Sequence, residues 1–232
     1  MNPRCRPCAQ LGRLRPAQRL KCEVIHIAAL RPRQVATRVL LIRHTAVAVA
    51  TGICYGQTDV PLADTFEQEL ASLRQRLPDL VAATSQIFSS PAQRCVTLAN
   101  ELRRTGLSTE GNVIVTDERL REMNFGQWEG RAWDDIPRDA IDAWNSDLKH
   151  GAPHGGESLD DLQKRAVEAL SDYLKQATGD LLLFTHGGVV RTLVAWALDL
   201  PLEHCVRLKV DFGSTSELVI SGGYKQLRYL NR

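Results

Sequence analysis

The sequence lacks a long apolar run. No stretch of hydrophobic residues approaches the ~18–20 residues that a helix needs to cross a bilayer, so we predict no membrane association and a cytoplasmic location. Apolar residues make up 44% of the chain and charged residues 24%, which is typical of a globular protein. Its 232 residues are enough for one or two domains.

Acidic residues are nearly absent from the first 38 positions, which hold nine Arg or Lys and a single Glu. The rest of the chain carries 20 basic and 26 acidic side chains, which argues against a nucleic-acid surface on the folded body. The basic start has three interpretations: a targeting presequence, a disordered basic arm, or an upstream stretch translated from a wrongly chosen start codon. We favour the last, and predict a disordered extension over residues 1–37 and one domain over residues 38–232.

Cysteines are few, and they do not form a disulfide pattern. Cys54, Cys95 and Cys205 are widely spaced and fit reduced cytosolic thiols. A zinc-like spacing, C-x2-C-x13-C-x3-H, comprises Cys5, Cys8, Cys22 and His26. The prolines and arginines around this spacing leave little to pack around an ion. We therefore predict no metal and no cofactor.

Strand and helix patterns alternate along the body. We predict strands over residues 39–43, 85–89, 113–115 and 181–185, and helices over residues 64–77, 91–104, 133–147, 158–177 and 188–198. Three further strands are expected over residues 206–212, 216–220 and 224–230, the last two joined by a Gly-Gly turn. This order predicts a three-layer α/β/α domain whose mostly parallel central sheet carries an antiparallel edge strand.

Two predicted strands end in a histidine. Arg43-His44 follows the run Val39–Ile42, and His186-Gly187 follows the run Leu181–Thr185. Open α/β sheets bind ligands outside the carboxyl ends of their strands. The sequence therefore predicts one site that contains both imidazoles.

Two other blocks complete this pattern: S-S-P-A-Q-R, which ends at Arg94, and L-R-E-M-N-F-G-Q-W-E-G, which contains Glu122. Each block alone has an ordinary structural explanation. Together with the two strand-end blocks, they supply two guanidiniums for phosphate oxygens and imidazoles that are nucleophilic when neutral. They also supply a carboxylic acid that can protonate a leaving group. These are the parts of a metal-independent phosphoryl transfer.

In this order, over residues 39–220, the blocks resemble the histidine phosphatase (phosphoglycerate mutase-like) superfamily. The resemblance implies that His44 is the nucleophile that becomes phosphohistidine and that Glu122 donates the proton to the leaving group. It also implies a phosphate pocket built from Arg43, Arg94, His186 and the backbone amide of Gly187. The implied partner is a small-molecule phosphomonoester substrate. The oligomeric state that we expect, if the chain assembles, is a homodimer.

One loop departs from the superfamily pattern. The common form is R-H-G-x-[ST] with an Asn three residues later, whereas this chain has R-H-T-A-V with Ala50 at the Asn position. The usual hydroxyl and amide donors are therefore missing from their places. Thr45, Thr51 and Gln57 are the alternatives, and we include Thr45 and Gln57 among the predicted substrate-binding residues.

The segment Thr51–Leu62, T-G-I-C-Y-G-Q-T-D-V-P-L, resembles the α-ribazole phosphatase branch. This implies removal of the 5′-phosphate of α-ribazole phosphate during cobalamin nucleotide-loop assembly. A broad-specificity sugar or nucleotide phosphatase is the alternative. A mutase is disfavoured, because Glu122 and Gly156 are only 34 positions apart, without the long insertion of family mutases.

Two other classes remain open. A phospho-ligand binding module would keep the pocket without turnover, and intact His44 and Glu122 speak against it. A nucleic-acid or zinc-binding factor would depend on the basic extension, so deletion of residues 1–37 should abolish its function.

Overall fold

The computed structural model describes residues 36–77, 85–104, 113–152 and 155–232. Within these ranges the chain alternates strands and helices, as predicted. The strands are β1 (Thr37–Arg43), β2 (Gln86–Ser89), β3 (Ile114–Thr116), β4 (Leu181–Thr185), β5 (Thr215–Ser221) and β6 (Tyr224–Tyr229). The helices are α1 (Phe66–Arg76), α2 (Gln93–Leu102), α3 (Arg138–Ser146), α4 (Leu159–Gln176) and α5 (Gly187–Ala197).

All of these strands form one sheet in the order β3-β2-β4-β1-β5-β6. The pairs β1–β4, β4–β2 and β2–β3 are parallel. Strand β5 runs antiparallel to both of its neighbours. The predicted fold class is confirmed, with the reversed strand next to the edge and β6 closing that edge.

The two central strands are buried on both faces. Along β1, Val39 and Leu41 pack into a cluster with residues of α4 and α5. Leu40 and Ile42 pack on the opposite face, with residues of α1 and α2. A continuous apolar run suits such a strand, because helices cover both sides of a parallel sheet. The outcome is the predicted three-layer arrangement.

Helix α4 begins with the predicted capping box. The Ser158 hydroxyl accepts a hydrogen bond from the Asp161 amide, and the Asp161 carboxylate accepts one from the Ser158 amide. Two amides without an intrahelical partner are thereby satisfied. Helix α5 begins at Gly187, two residues after β4 ends, so its N-terminus lies at the carboxyl edge of the sheet.

The predicted strand over residues 206–212 is wrong. A 3-10 helix spans Leu202–Arg207, and an irregular segment follows it up to Thr215. The apolar-polar alternation imitates a strand, but arginine side chains take carbonyls that a strand would pair. Arg191 Nε donates to Leu208 O (2.9 Å) and Arg43 Nη1 to Val210 O (2.6 Å).

The predicted helix over residues 133–147 begins later than expected. A 3-10 turn covers Trp133–Asp135, and α3 starts at Arg138, directly after Pro137. Proline fits immediately before or in the first turn of a helix, but it interrupts a helix that runs through it. The aromatic residues near this helix form a cluster of Phe125, Trp128, Trp133 and Trp144.

The predictions for the zinc-like spacing and for most of the basic extension fall on residues 1–35, outside the described part of the chain. The domain boundary at residue 38 stays a prediction. Among the described residues, no helix has the length and apolar character needed to cross a membrane.

Candidate active site

The carboxyl ends of β1 and β4 bring the two strand-end histidines together. The strands are parallel neighbours, and Arg43 is in register with Thr185. The His44 amide donates to the Thr185 carbonyl (3.0 Å). The ring centroids of His44 and His186 are 5.1 Å apart. Both imidazoles therefore occupy one site, at the edge of the sheet.

The His44 ring is 1% exposed, and its Nδ1 lies 2.7 Å from the Thr45 carbonyl oxygen. A carbonyl only accepts, so Nδ1 carries the proton and Nε2 keeps its lone pair when the ring is neutral. Burial, with the charges of Arg94 and Arg43, holds the pKa of His44 well below its usual value. Both features favour a neutral imidazole whose Nε2 lone pair is not used by the protonated Nδ1 contact.

The His186 ring is also fully buried and has the opposite tautomer. Arg94 Nε lies 3.4 Å from its Nδ1, and a guanidinium only donates, so Nδ1 accepts. Its Nε2 then carries the proton and donates to Ser90 Oγ (2.8 Å). Burial, followed by the neighbouring His44 and Arg94, lowers the pKa of His186 well below its usual value.

Arg43 is the first of two guanidiniums beside these rings. Its Cζ lies 3.8 Å from the ring centroid of Phe212, and burial lowers its pKa against the opposing influence of Tyr55 and Glu122. Within the described residues its Nε is buried and has no hydrogen-bond partner. Buried polar atoms are nearly always paired, so this N–H is available to a bound anion.

Arg94 is the second guanidinium, and it is completely buried. Its terminal nitrogens donate to the carbonyls of Gly56 (2.7 Å) and Thr58 (2.9 Å). Its Nε faces His186. The orientation of the fork therefore depends on the loop at residues 56–58.

Glu129 anchors that loop. Its carboxylate accepts hydrogen bonds from the amides of Gln57 (2.9 Å) and Thr58 (2.8 Å), and from the Thr58 hydroxyl. The Gly56 backbone passes so close that a Cβ there would lie 2.2 Å from Glu129 Oε1. The sequence does not predict this role, because the W-E-G motif does not indicate which distant backbone amides Glu129 binds.

Glu122 lies at the N-terminus of α5. Its Oε2 accepts from the Gly188 amide (3.0 Å) and its Oε1 from the Met123 amide (2.9 Å). A Cβ on Gly188 would lie 2.2 Å from Oε1, so glycine is what allows this approach. Helix N-termini stabilise anions. The amide of Gly187, first in the helix, has no intrahelical acceptor.

The two residues expected to replace the missing loop donors lie in this region. Thr45 is fully buried, and its Oγ1 has no partner among the described residues. Gln57 Nε2 donates to the Glu122 carbonyl (3.0 Å), so this amide nitrogen braces the backbone of Glu122. Thr51 is exposed.

The site concentrates donors without a metal-ligand cluster. No group of three or more His, Cys, Asp or Glu side chains in the part of the chain described here is arranged to hold an ion. Two guanidiniums and the α5 N-terminus suit the oxygens of a phosphate group. A free imidazole nitrogen and a carboxylate complete the site, which therefore has the parts to bind and transfer a phosphoryl group.

This α/β fold and its two-histidine site define a class of phosphate-handling enzyme, and comparison with known proteins gives its family. Residues 39–232 match the family model described as histidine phosphatase superfamily (branch 1). The chain belongs to the histidine phosphatase superfamily. Its relatives include proteins named as phosphatases and others named as probable phosphoglycerate mutases. The family and the phosphatase relatives support a phosphoric monoester hydrolase.

Several relatives cover most of the chain. "Putative phosphoserine phosphatase 2" of Hydrogenobacter thermophilus is 30% identical over 84% of this chain and 95% of its own. The adenosylcobalamin/α-ribazole phosphatase of Escherichia coli is 27% identical over the same shares. The solved structure of YhfR from Bacillus stearothermophilus is 30% identical, has a TM-score of 0.72 and covers 83% of this chain and 95% of its own.

Proposed function

We propose that this protein hydrolyses a small-molecule phosphomonoester through a phosphohistidine on His44, without a metal ion. The observation that carries the proposal is the hydrogen bond between His44 Nδ1 and the Thr45 carbonyl (2.7 Å), made by a buried ring. This leaves Nε2 as a nucleophile beside a group of cationic and N–H donors. Covalent catalysis of this kind divides a difficult displacement into two easier ones.

In the first step His44 Nε2 attacks phosphorus and the ester oxygen leaves. Donors aimed at the phosphoryl oxygens stabilise charge in the transition state. Glu122, in its protonated form, gives its proton to the leaving oxygen. In the second step water attacks phosphorus, the bond between phosphorus and His44 Nε2 breaks to release phosphate, and the Glu122 carboxylate accepts the proton of the water. The proposed phosphate-binding groups are Arg43, Arg94, His186, the Gly187 amide and the Thr45 hydroxyl, with Gln57 beside them.

The proposed substrate is α-ribazole 5′-phosphate. Its support is the segment Thr51–Leu62, which in this structure contributes the carbonyls that bind Arg94, together with the E. coli relative named for that reaction. A broad-specificity phosphatase is the second candidate. It is favoured by relatives of similar identity with other names, a phosphoserine phosphatase and a glucosyl-3-phosphoglycerate phosphatase. A cytoplasmic location and a homodimer stay predictions.

The covalent intermediate is tested by rapid quench with a ³²P-labelled monoester. We expect acid-labile label on the protein within one turnover, and none on the His44→Ala variant. Loss of the nucleophile removes a covalent step, so kcat/KM should fall by about 10³-fold or more, while the thermal unfolding curve shows that the fold survives. We expect EDTA to leave the activity unchanged. Retention of a tenth of the wild-type rate by His44→Ala would remove His44 from this role.

The substrate is tested by phosphate release from α-ribazole 5′-phosphate, phosphoserine, glucosyl-3-phosphoglycerate, sugar phosphates and nucleotides. A kcat/KM for α-ribazole 5′-phosphate about 10²-fold above the rest supports the dedicated enzyme, since that ratio requires a few kcal/mol of differential binding. Comparable values across the set support the broad phosphatase. Absence of turnover on every compound, p-nitrophenyl phosphate included, would indicate a binding module.

A further inference from the structure

The segment that carries Glu122 pairs with none of the six strands that the structure describes. It lies between the 3-10 turns Glu118–Leu120 and Gly126–Trp128. Backbone carbonyls that are taken out of water need donors. Arg165 of α4 supplies them: its Nη1 donates to the carbonyls of Arg119 and Arg121 (2.7 Å each), and its Nη2 to the carbonyl of Glu122 (2.9 Å).

Glu157 takes the remaining donors of the same guanidinium. Arg165 Nε donates to Glu157 Oε2 (3.1 Å), and Nη2 also donates to Oε1. The two side chains are 19% and 17% exposed. A guanidinium has five N–H groups in a fixed plane, and all five are used here. A lysine, with three donors on one atom, cannot reproduce this set.

Glu157 also binds the segment on the far side of Glu122. Its Oε1 accepts from the Asn124 amide (3.1 Å), and its own amide donates to the Asn124 carbonyl (2.9 Å). Gly156 makes this approach feasible, since a Cβ there would lie 2.3 Å from the Asn124 carbonyl oxygen. The backbone is therefore held at residues 119, 121 and 122 by Arg165 and at residue 124 by Glu157.

We propose that Arg165, held by Glu157, is a positioning residue that aims the Glu122 carboxylate at the leaving-group oxygen. This inference rests on the proposed function, in which Glu122 is the proton donor. The five hydrogen bonds of the Arg165 guanidinium go to Glu157 and to the backbone around the proton donor, and none goes to His44, Arg43 or Arg94. Its loss therefore shifts the carboxylate while these three residues stay in place.

The dependence on leaving group tests the proposal. For Arg165→Lys we expect kcat/KM on an alkyl phosphate such as glycerol 3-phosphate to fall by about 30-fold, because a small misplacement of a catalytic group is costly. On p-nitrophenyl phosphate, whose leaving group needs little protonation, we expect kcat/KM to fall by less than about 3-fold, since this parameter reports the steps up to loss of the leaving group and not the later hydrolysis that all substrates share. The matched control is Arg119→Lys. That side chain binds Asp117 and Asp172 and none of the three carbonyls, so equal and small effects are expected.

A double-mutant cycle with Glu122→Gln separates positioning from a structural role. In the Glu122→Gln background, Arg165→Lys should cost less than about 2-fold further on the alkyl phosphate, because coupled residues are not additive. If Arg165→Lys is too unstable to assay, Glu157→Gln weakens the same clamp and should give the same pattern. Equal losses on both substrates, or additive losses in the cycle, overturn the positioning role. If Glu122→Gln itself is indifferent to the leaving group, the role of Glu122 in the proposed function fails instead.

Discussion

The strand-end half of the site and the loop half are built by different physical means. His44 and His186 extend two paired central strands, and their positions follow from sheet register and from apolar cores on both faces. Glu122 lies on irregular backbone and is held by Gly188 and Arg165, which are 66 and 43 positions away. The first half is stabilised mainly by apolar burial. The second depends on a few polar contacts that each fix one group.

This difference predicts two kinds of response to mutation. A change in the strand-end half should abolish the chemistry for every substrate. A change in the loop half should be graded, and it should depend on which group has lost its support: leaving-group protonation for the Glu122 segment, or phosphate affinity for the loop that holds Arg94.

Gly188→Ala should have the largest effect within the loop half. The added methyl group would lie 2.2 Å from Glu122 Oε1, and the carboxylate, as the free end of a side chain, must move away from the α5 N-terminus. General acid catalysis contributes 10²–10⁴-fold, so kcat on an alkyl phosphate should fall by about 10²-fold. The free energy of unfolding should change little, because the preference for Ala over Gly in a helix, up to ~1 kcal/mol, offsets the lost contact between Glu122 and α5.

The control for this substitution is Gly223→Ala, where a Cβ would meet nothing within 4 Å. Steady-state kinetics on alkyl and aryl phosphates, with thermal unfolding of both variants, measure the effect. An alkyl-phosphate rate for Gly188→Ala equal to that of Gly223→Ala would show that the contact between Glu122 and α5 does not matter for catalysis.

Glu129→Gln should have a smaller effect, and it should lower the affinity for phosphate instead of the rate of leaving-group protonation. The amide nitrogen of Gln would face backbone N–H groups that now bind a carboxylate, so the loop at residues 56–58 loses an acceptor and Arg94 loses a fixed orientation. We expect the Kd for inorganic phosphate to rise about 10-fold, equivalent to about 1.4 kcal/mol. The ratio of alkyl to aryl rates should stay as in the wild type.

Calorimetric titration with phosphate measures this change, and Glu118→Gln is the control, because that side chain is 73% exposed and pairs only with Arg121 among the described residues. A change in the alkyl-to-aryl ratio with an unaltered Kd would contradict the division between the two kinds of support.

The same division explains how far the sequence could predict the structure. The runs before His44 and His186 are continuous and apolar, so the sheet and its carboxyl edge were predictable. Arg165 and Glu157 lie in an ordinary amphipathic helix and its cap, and local pattern does not indicate which distant carbonyls they bind. The wrong strand prediction for residues 206–212 has the same cause. The alternation of Val206, Leu208 and Val210 is typical of a strand, but the carbonyls of Leu208 and Val210 bind arginine side chains from elsewhere in the chain.

The pH dependence of stability should show the smallest effect, and it belongs to the strand-end half. The pKa of His44 is well below its usual value in the folded protein, mainly through burial, so the unfolded chain binds a proton that the native state does not. Stability from this ring is therefore present above about pH 6.5 and is lost as pH falls below it. Between pH 7 and pH 6 the loss is about 0.7 kcal/mol for one histidine.

Urea unfolding at pH 7 and at pH 6 measures this change in the free energy of unfolding. The difference between the two pH values should be smaller in His44→Asn than in the wild type, by about 0.7 kcal/mol. An unchanged difference in His44→Asn would mean that the ring is not held neutral.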